Sequence, residues 1–128
     1  MRLEDVQAWL DRYVEAWRSL DPAAIGDLFS EDASYRWNPF DDPTRGREAI
    51  VRAWVEEEAE VFDADYRAIA TNGDLAVAQG ETTYWNPDRT QVEQRYSNIF
   101  VVRFDEEGRC REFSEWWMQP RSASPSFS

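Results

Sequence analysis

Apolar residues recur at helical spacing through Val6, Trp9, Leu10, Tyr13, Val14, Trp17 and Leu20, with Glu4, Asp11, Arg12, Glu15 and Arg18 off that stripe. One amphipathic helix is predicted there. Asp21-Pro22 has the form of an N-cap followed by proline at the first helical position. It opens a short second helix whose apolar face is Ile25, Leu28 and Phe29. A short strand follows from Ala33 to Trp37, closed by Asn38-Pro39, and the proline- and aspartate-bearing segment 38–46 reads as a loop. A third helix is expected from Arg47 to Glu58, with Ile50, Val51, Trp54 and Val55 buried and Glu56, Glu57 and Glu58 in solvent.

The second half of the chain changes period. Four long strands are predicted: Val61–Thr71, Leu75–Trp85, Gln91–Phe104 and Arg109–Met118. Their separators, Asn72-Gly73-Asp74, Asn86-Pro87-Asp88 and Asp105-Glu106-Glu107-Gly108, are turn-forming sequences. Such short connections require antiparallel neighbours. Helices first and a strand meander afterwards make one α+β domain over residues 1–119. The serine- and proline-rich stretch 120–128 is expected to be a disordered tail.

Composition narrows what this domain does. The chain has 128 residues, of which 42% are hydrophobic, so its net charge of -12 does not mark it as disordered. That charge repels phosphate backbones, and nucleic acid is not an expected partner. All 14 basic residues are arginine. No apolar run is long enough to span a bilayer, and the N-terminus lacks a signal-peptide core, so a cytoplasmic location without a membrane partner is expected. The single cysteine, Cys110, rules out an internal disulfide framework and reads as a small structural residue. The absence of histidine removes His-dependent triads, imidazole acid-base catalysis and His-ligated metal sites. Asp41 and Asp42 read as solvated turn residues, and neither metal nor cofactor is expected.

The order of elements resembles the nuclear transport factor 2 superfamily in its SnoaL-like branch. The resemblance is carried by Arg12-Tyr13-Val14, by the run from Asp27 to Ala33, by the run from Pro43 to Ile50, and by Val102-Arg103-Phe104-Asp105 with Gly108-Arg109. It implies a cone: three N-terminal helices packed in a strongly bent antiparallel or mixed sheet, around a deep pocket. It also implies a homodimer formed through the outer sheet face, where Trp116 and Met118 are expected. Activity does not follow, because this fold hosts many functions.

Catalytic residues carried over from the resemblance mostly fail. The oxyanion-holding tyrosine of the ketosteroid isomerases falls on Tyr13, but their two catalytic aspartates fall on Trp37 and Phe100. A lone tyrosine cannot move a proton between carbons. The cyclases and dehydratases of the superfamily rely on histidine. The Asp-Arg-Asp set of the epoxide hydrolases meets Tyr96 and Asn98 instead.

Strand parity, aligned to the superfamily, then predicts the pocket. The inward sets are Val77, Gln79, Glu81, Thr83 and Trp85; Tyr96, Asn98, Phe100 and Val102; and Phe113, Glu115 and Trp117. Tyr35 and Trp37 join them from the first strand, and Trp9, Tyr13 and Trp17 from the first helix. Trp9, Trp17 and Trp54 read first as plain core. Glu81, Glu115 and Tyr13 are the candidate catalytic groups. Trp37, Gln79, Trp85, Tyr96, Asn98, Phe100 and Trp117 are the candidate ligand contacts. Two glutamates sharing one cavity would hold a proton near neutral pH. The expected function is a small-molecule-binding domain; the alternative is an enzyme using paired carboxylates for acid-base chemistry on a small apolar substrate.

Overall fold

The computed structural model describes residues 1–57 and 60–121. Helix α1 spans Leu3–Ser19 and buries Val6, Trp9, Leu10 and Tyr13 of the predicted stripe together with Ala16, while Val14, Trp17 and Leu20 are partly buried. It ends at Leu20, which turns into the left-handed region at φ 52°. Helix α2, Pro22–Gly26, starts on Asp21, whose Oδ1 accepts the Ala23 N–H at 3.1 Å. A cap of this kind contributes about 1 kcal/mol.

Strand β1 runs Phe29–Arg36, four residues earlier than predicted. Phe29 therefore belongs to the sheet and not to the second helix. The backbone explains the difference: Phe29 lies opposite Cys110, and the Cys110 N–H donates to the Leu28 carbonyl at 2.8 Å. A two-residue strand β2, Thr44–Arg45, forms within the segment predicted as loop and pairs antiparallel with β1.

Helix α3 spans Arg47–Glu56 and buries Ile50 and Trp54, while Val55, expected inside, is exposed. The expectation for Glu58 lies outside the described residues, as does most of the tail. Strands β3 (Val61–Asn72), β4 (Leu75–Trp85), β5 (Val92–Phe104) and β6 (Cys110–Met118) fall within a residue of prediction.

The six strands form one sheet in the order β2-β1-β6-β5-β4-β3. Every pairing is antiparallel except β1 with β6. The sheet curls around the helices, with α1 packed on β3 and α3 on β1. Two devices help it bend. Ile69 is an extra residue in β3, between the Ala68–Ala78 and Ala70–Val77 pairs, and such a bulge increases local twist. At Gly80 the backbone of β3 comes so close that a Cβ would lie 2.0 Å from the Asp65 carbonyl oxygen.

The core sits between α1 and the concave face. Trp9 is fully buried against Phe29, Phe104 and Phe113, and its indole N–H donates to the Leu28 carbonyl at 3.0 Å. Each large apolar side chain buried in this way contributes about 2 kcal/mol. Packing, more than helix propensity, holds α1 in place. Among the described residues no helix is long and apolar enough to cross a membrane.

Candidate functional site

The open end of the cone encloses a cavity of about 580 Å³. Each wall follows from strand parity. On β5 the inward residues are Gln94, Tyr96 and Asn98, and on β6 they are Glu115 and Trp117. Strand β4 supplies Thr82 and Tyr84, and β3 supplies Tyr66, one step across the ladder in each case. Helix α1 contributes Tyr13 and Trp17, α3 contributes Trp54, and β1 with the residue after it contributes Tyr35 and Trp37. Glu57 and Glu60, both exposed, stand at the rim.

Two hydrogen-bonded groups organise the inner wall. In the first, the hydroxyls of Tyr13 and Tyr35 meet at 2.6 Å. Both rings lie nearly parallel to Phe113, at 12° and 7° respectively. Burial, and then neighbouring groups that include Glu115, hold both phenols well above the usual tyrosine range, so each stays neutral.

The second group is a directed chain. The Thr82 hydroxyl donates to Asn98 Oδ1 at 2.9 Å, and Asn98 Nδ2 donates to Glu115 Oε2 at 2.7 Å. Since the one Thr82 proton is committed to Asn98, its hydroxyl accepts from Tyr66. All the donors therefore point one way, toward the Glu115 carboxylate. Burial raises the Glu115 pKa to about 7, against the lowering effect of the Asn98 hydrogen bond. Partial desolvation at the rim also raises Glu57 and Glu60, the latter helped by its proximity to Glu57.

The predicted residues divide cleanly. Tyr13, Trp37, Tyr96, Asn98, Glu115 and Trp117 all line the cavity. Phe100 faces inward but packs in the core against Tyr13, Tyr66 and Phe113. On β4 the predicted parity is reversed. The concave face is taken by Ala76, Ala78, Gly80, Thr82 and Tyr84, opposite Val102, Phe100, Asn98, Tyr96 and Gln94. Gln79 and Glu81 are consequently exposed on the convex face, where Glu81 lies between Asp65 and Ser97. Trp85 also leaves the cavity, and its indole N–H donates to Asp63 Oδ2 at 3.0 Å.

The expected pairing of Glu81 with Glu115 is thus overturned. Small residues on β4 face inward because the aromatic rings of α1 and β5 fill that side. The sequence reading misses Tyr66, Thr82, Tyr84, Gln94 and the rim pair Glu57 and Glu60; correct parity on β4 finds Thr82 and Tyr84.

The model of the SnoaL-like domain matches residues 10–113. The chain belongs to the SnoaL-like domain family. Among curated proteins, none matches it. Solved structures similar to this SnoaL-like domain include an NTF-2 like protein of unknown function from Burkholderia xenovorans LB400, at 15% identity and TM-score 0.72, covering 97% of this chain and 91% of that one. A ketosteroid isomerase-like protein from Erwinia carotovora atroseptica SCRI1043 is similar at 16% identity and TM-score 0.66, covering 92% of this chain and 97% of that one. These likenesses establish the NTF2-like cone.

Within this SnoaL-like domain, the carboxylate nearest Phe100 across the ladder is Glu115, its direct partner on β6. Among the described residues, no group of three or more Asp, Glu, Cys or His side chains is arranged to hold a metal ion.

Proposed function

We propose that this SnoaL-like domain binds a small organic molecule in the cone, with Tyr13, Asn98 and Glu115 as its polar contacts and Trp37, Tyr96 and Trp117 as its apolar ones. The observation that carries this reading is the cavity of about 580 Å³, a size and aromatic lining typical of small-molecule sites. Intrinsic tryptophan fluorescence tests it directly, because Trp17, Trp37, Trp54 and Trp117 all face the cavity. Screening small aromatic and alicyclic compounds should yield saturable emission changes that Asn98→Leu abolishes. If no compound changes the emission of the folded protein, the reading falls.

A second reading, acid-base catalysis, is favoured by one observation. Glu115 titrates near pH 7 beside two neutral phenols, which suits a group that takes and returns a proton while Tyr13 polarises a substrate oxygen. In this form the chemistry needs one carboxylate, with Glu81 playing no part.

We also propose a homodimer through the convex face of the sheet. Trp116 is 44% exposed there, with Ile69 and Met118 exposed as well. The net charge of -12 argues against a nucleic-acid partner, and the lone, buried Cys110 fits a cytoplasmic setting.

A further inference from the structure

The cavity is electrostatically one-sided. Its walls carry nine aromatic rings and three glutamates, and not one of the chain's 14 arginines is among the described lining residues. Among the described residues eight ion pairs form, and none of them involves Glu57, Glu60 or Glu115. A carboxylate as far withdrawn from water as that of Glu115 normally acquires a cationic neighbour. Here that neighbour is missing on the side that faces the cavity.

The aromatic rings add to the same field. Tyr84 and Tyr96 stand at 88° with centroids 5.7 Å apart, and Tyr96 and Trp117 at 89° and 5.3 Å. Three successive rings at right angles make the corner of a box beside Asn98 and Glu115. The faces of such rings are the negative ends of their quadrupoles, and boxes of this kind receive ammonium groups. The fold already uses the same attraction outside the cavity, where the Arg18 guanidinium lies 4.6 Å from the Phe62 ring centre.

We propose that the ligand of this cavity is an organic cation: an ammonium group held by the Tyr84–Tyr96–Trp117 corner and the Glu115 carboxylate, on an apolar body that fills the remaining aromatic space. The proposal deepens the small-molecule reading and rests on it. An anionic ligand would meet three carboxylates and no counter-charge. A neutral apolar ligand would leave the Glu115 carboxylate desolvated and unpaired.

The test compares benzyltrimethylammonium with neopentylbenzene, its uncharged isostere, and with phenylacetate, each titrated at pH 8 into the full chain and followed by tryptophan fluorescence. The cation should bind roughly tenfold tighter than the isostere. Glu115→Gln should remove most of that preference while leaving the isostere's affinity in place, and Glu81→Gln should change neither. Trp117→Ala, at a half-exposed position, provides a second variant and should weaken the isostere through lost apolar contact and the cation by clearly more. Equal or tighter binding of the isostere or of phenylacetate overturns the cation assignment while the small-molecule reading stands. If none of the three probes binds the folded chain, the cation assignment falls, and the small-molecule reading falls with it only when the wider screen of aromatic and alicyclic compounds is also silent.

Discussion

Asn98 and Glu115 are joined across neighbouring strands by a 2.7 Å hydrogen bond from the Asn98 amide to Glu115 Oε2. Asn98 is only 3% exposed, and its Oδ1 is simultaneously taken by Thr82. One side chain thus satisfies two buried neighbours. Asn98→Ala strands both the Thr82 hydroxyl and Glu115, at a cost of about 2 kcal/mol. Losing the hydrogen bond to the charged form should also move Glu115 above its value of about 7. Urea unfolding reads the first effect and a carboxyl-carbon NMR titration the second. An unchanged Glu115 titration would mean that the bond contributes nothing.

Glu115 should make stability depend on pH in a definite direction. Its pKa is about 7 in the fold against an ordinary value of 4.5, so the folded chain holds the proton more tightly than the unfolded one. The resulting stabilisation is fully present below 4.5 and is lost as pH rises through 7. Glu115→Gln removes the titration while keeping an acceptor for Asn98. The variant should gain on the parent chain between those limits, by on the order of 3 kcal/mol at pH 8. Denaturation curves at pH 4.5 and pH 8 measure the gain, and a difference independent of pH would refute the assignment.

Much of this architecture could be read from the chain before any coordinates. The helical stripe from Val6 to Trp17, the capping Asp21-Pro22 and the turn-forming separators placed most elements within a residue or two. Parity on β5 and β6 is legible through alignment to the superfamily, helped by Arg95 beside Tyr96 and Glu112 beside Phe113. Strand β4 offered no such contrast. Leu75 and Val77 look more apolar than Ala76 and Ala78, yet where the rings of Tyr13, Tyr66 and Phe100 already fill the concave side, β4 turns small residues toward it. The Glu81-Thr82-Thr83-Tyr84 run carries no alternation. Nor does the loop between β4 and β5 fix their register, since the ladder is irregular between Tyr84 and Trp85. Phe29 escapes local pattern for a different reason. Its partner, Cys110, is remote in sequence, and local pattern cannot anticipate such a pairing.

Gly80 should prove intolerant of any side chain. A Cβ there would lie 2.0 Å from the Asp65 carbonyl oxygen and 2.7 Å from the Tyr66 Cα, both backbone atoms that cannot rotate away. Gly80→Ala should cost about 3 kcal/mol through overpacking and strand displacement. Because Tyr66 would move with β3, the variant should also lose ligand-dependent fluorescence. A neutral result in urea would show that the two strands can separate freely.

Substituting Trp116 tests the convex face independently of the cavity. Trp116→Glu should convert a dimer to a monomer in sedimentation equilibrium. As a half-exposed side chain it should change the stability of the monomer fold by no more than about 0.5 kcal/mol. A monomeric parent chain would dispose of the homodimer.

Glu81→Gln, on the same convex face, should leave both the Glu115 titration and stability within about 0.5 kcal/mol of the parent chain. A shift of Glu115 in that variant would require the two carboxylates to communicate through the sheet.

The parallel pairing of β1 with β6 also sets a schedule for synthesis. Strand β1 leaves the ribosome early, yet its long partner is the last strand of the domain to emerge. Until Cys110–Met118 is free, Phe29 has no strand to lie against and Tyr35 has only the two-residue β2, and the meander of β3, β4 and β5 must wait with one edge unpaired. Contacts so distant along the chain form slowly, and unpaired edges invite association with other chains. Glu115 and Trp117 arrive on that final strand, so a ribosome stalled before it would carry most of the fold and none of the completed binding wall.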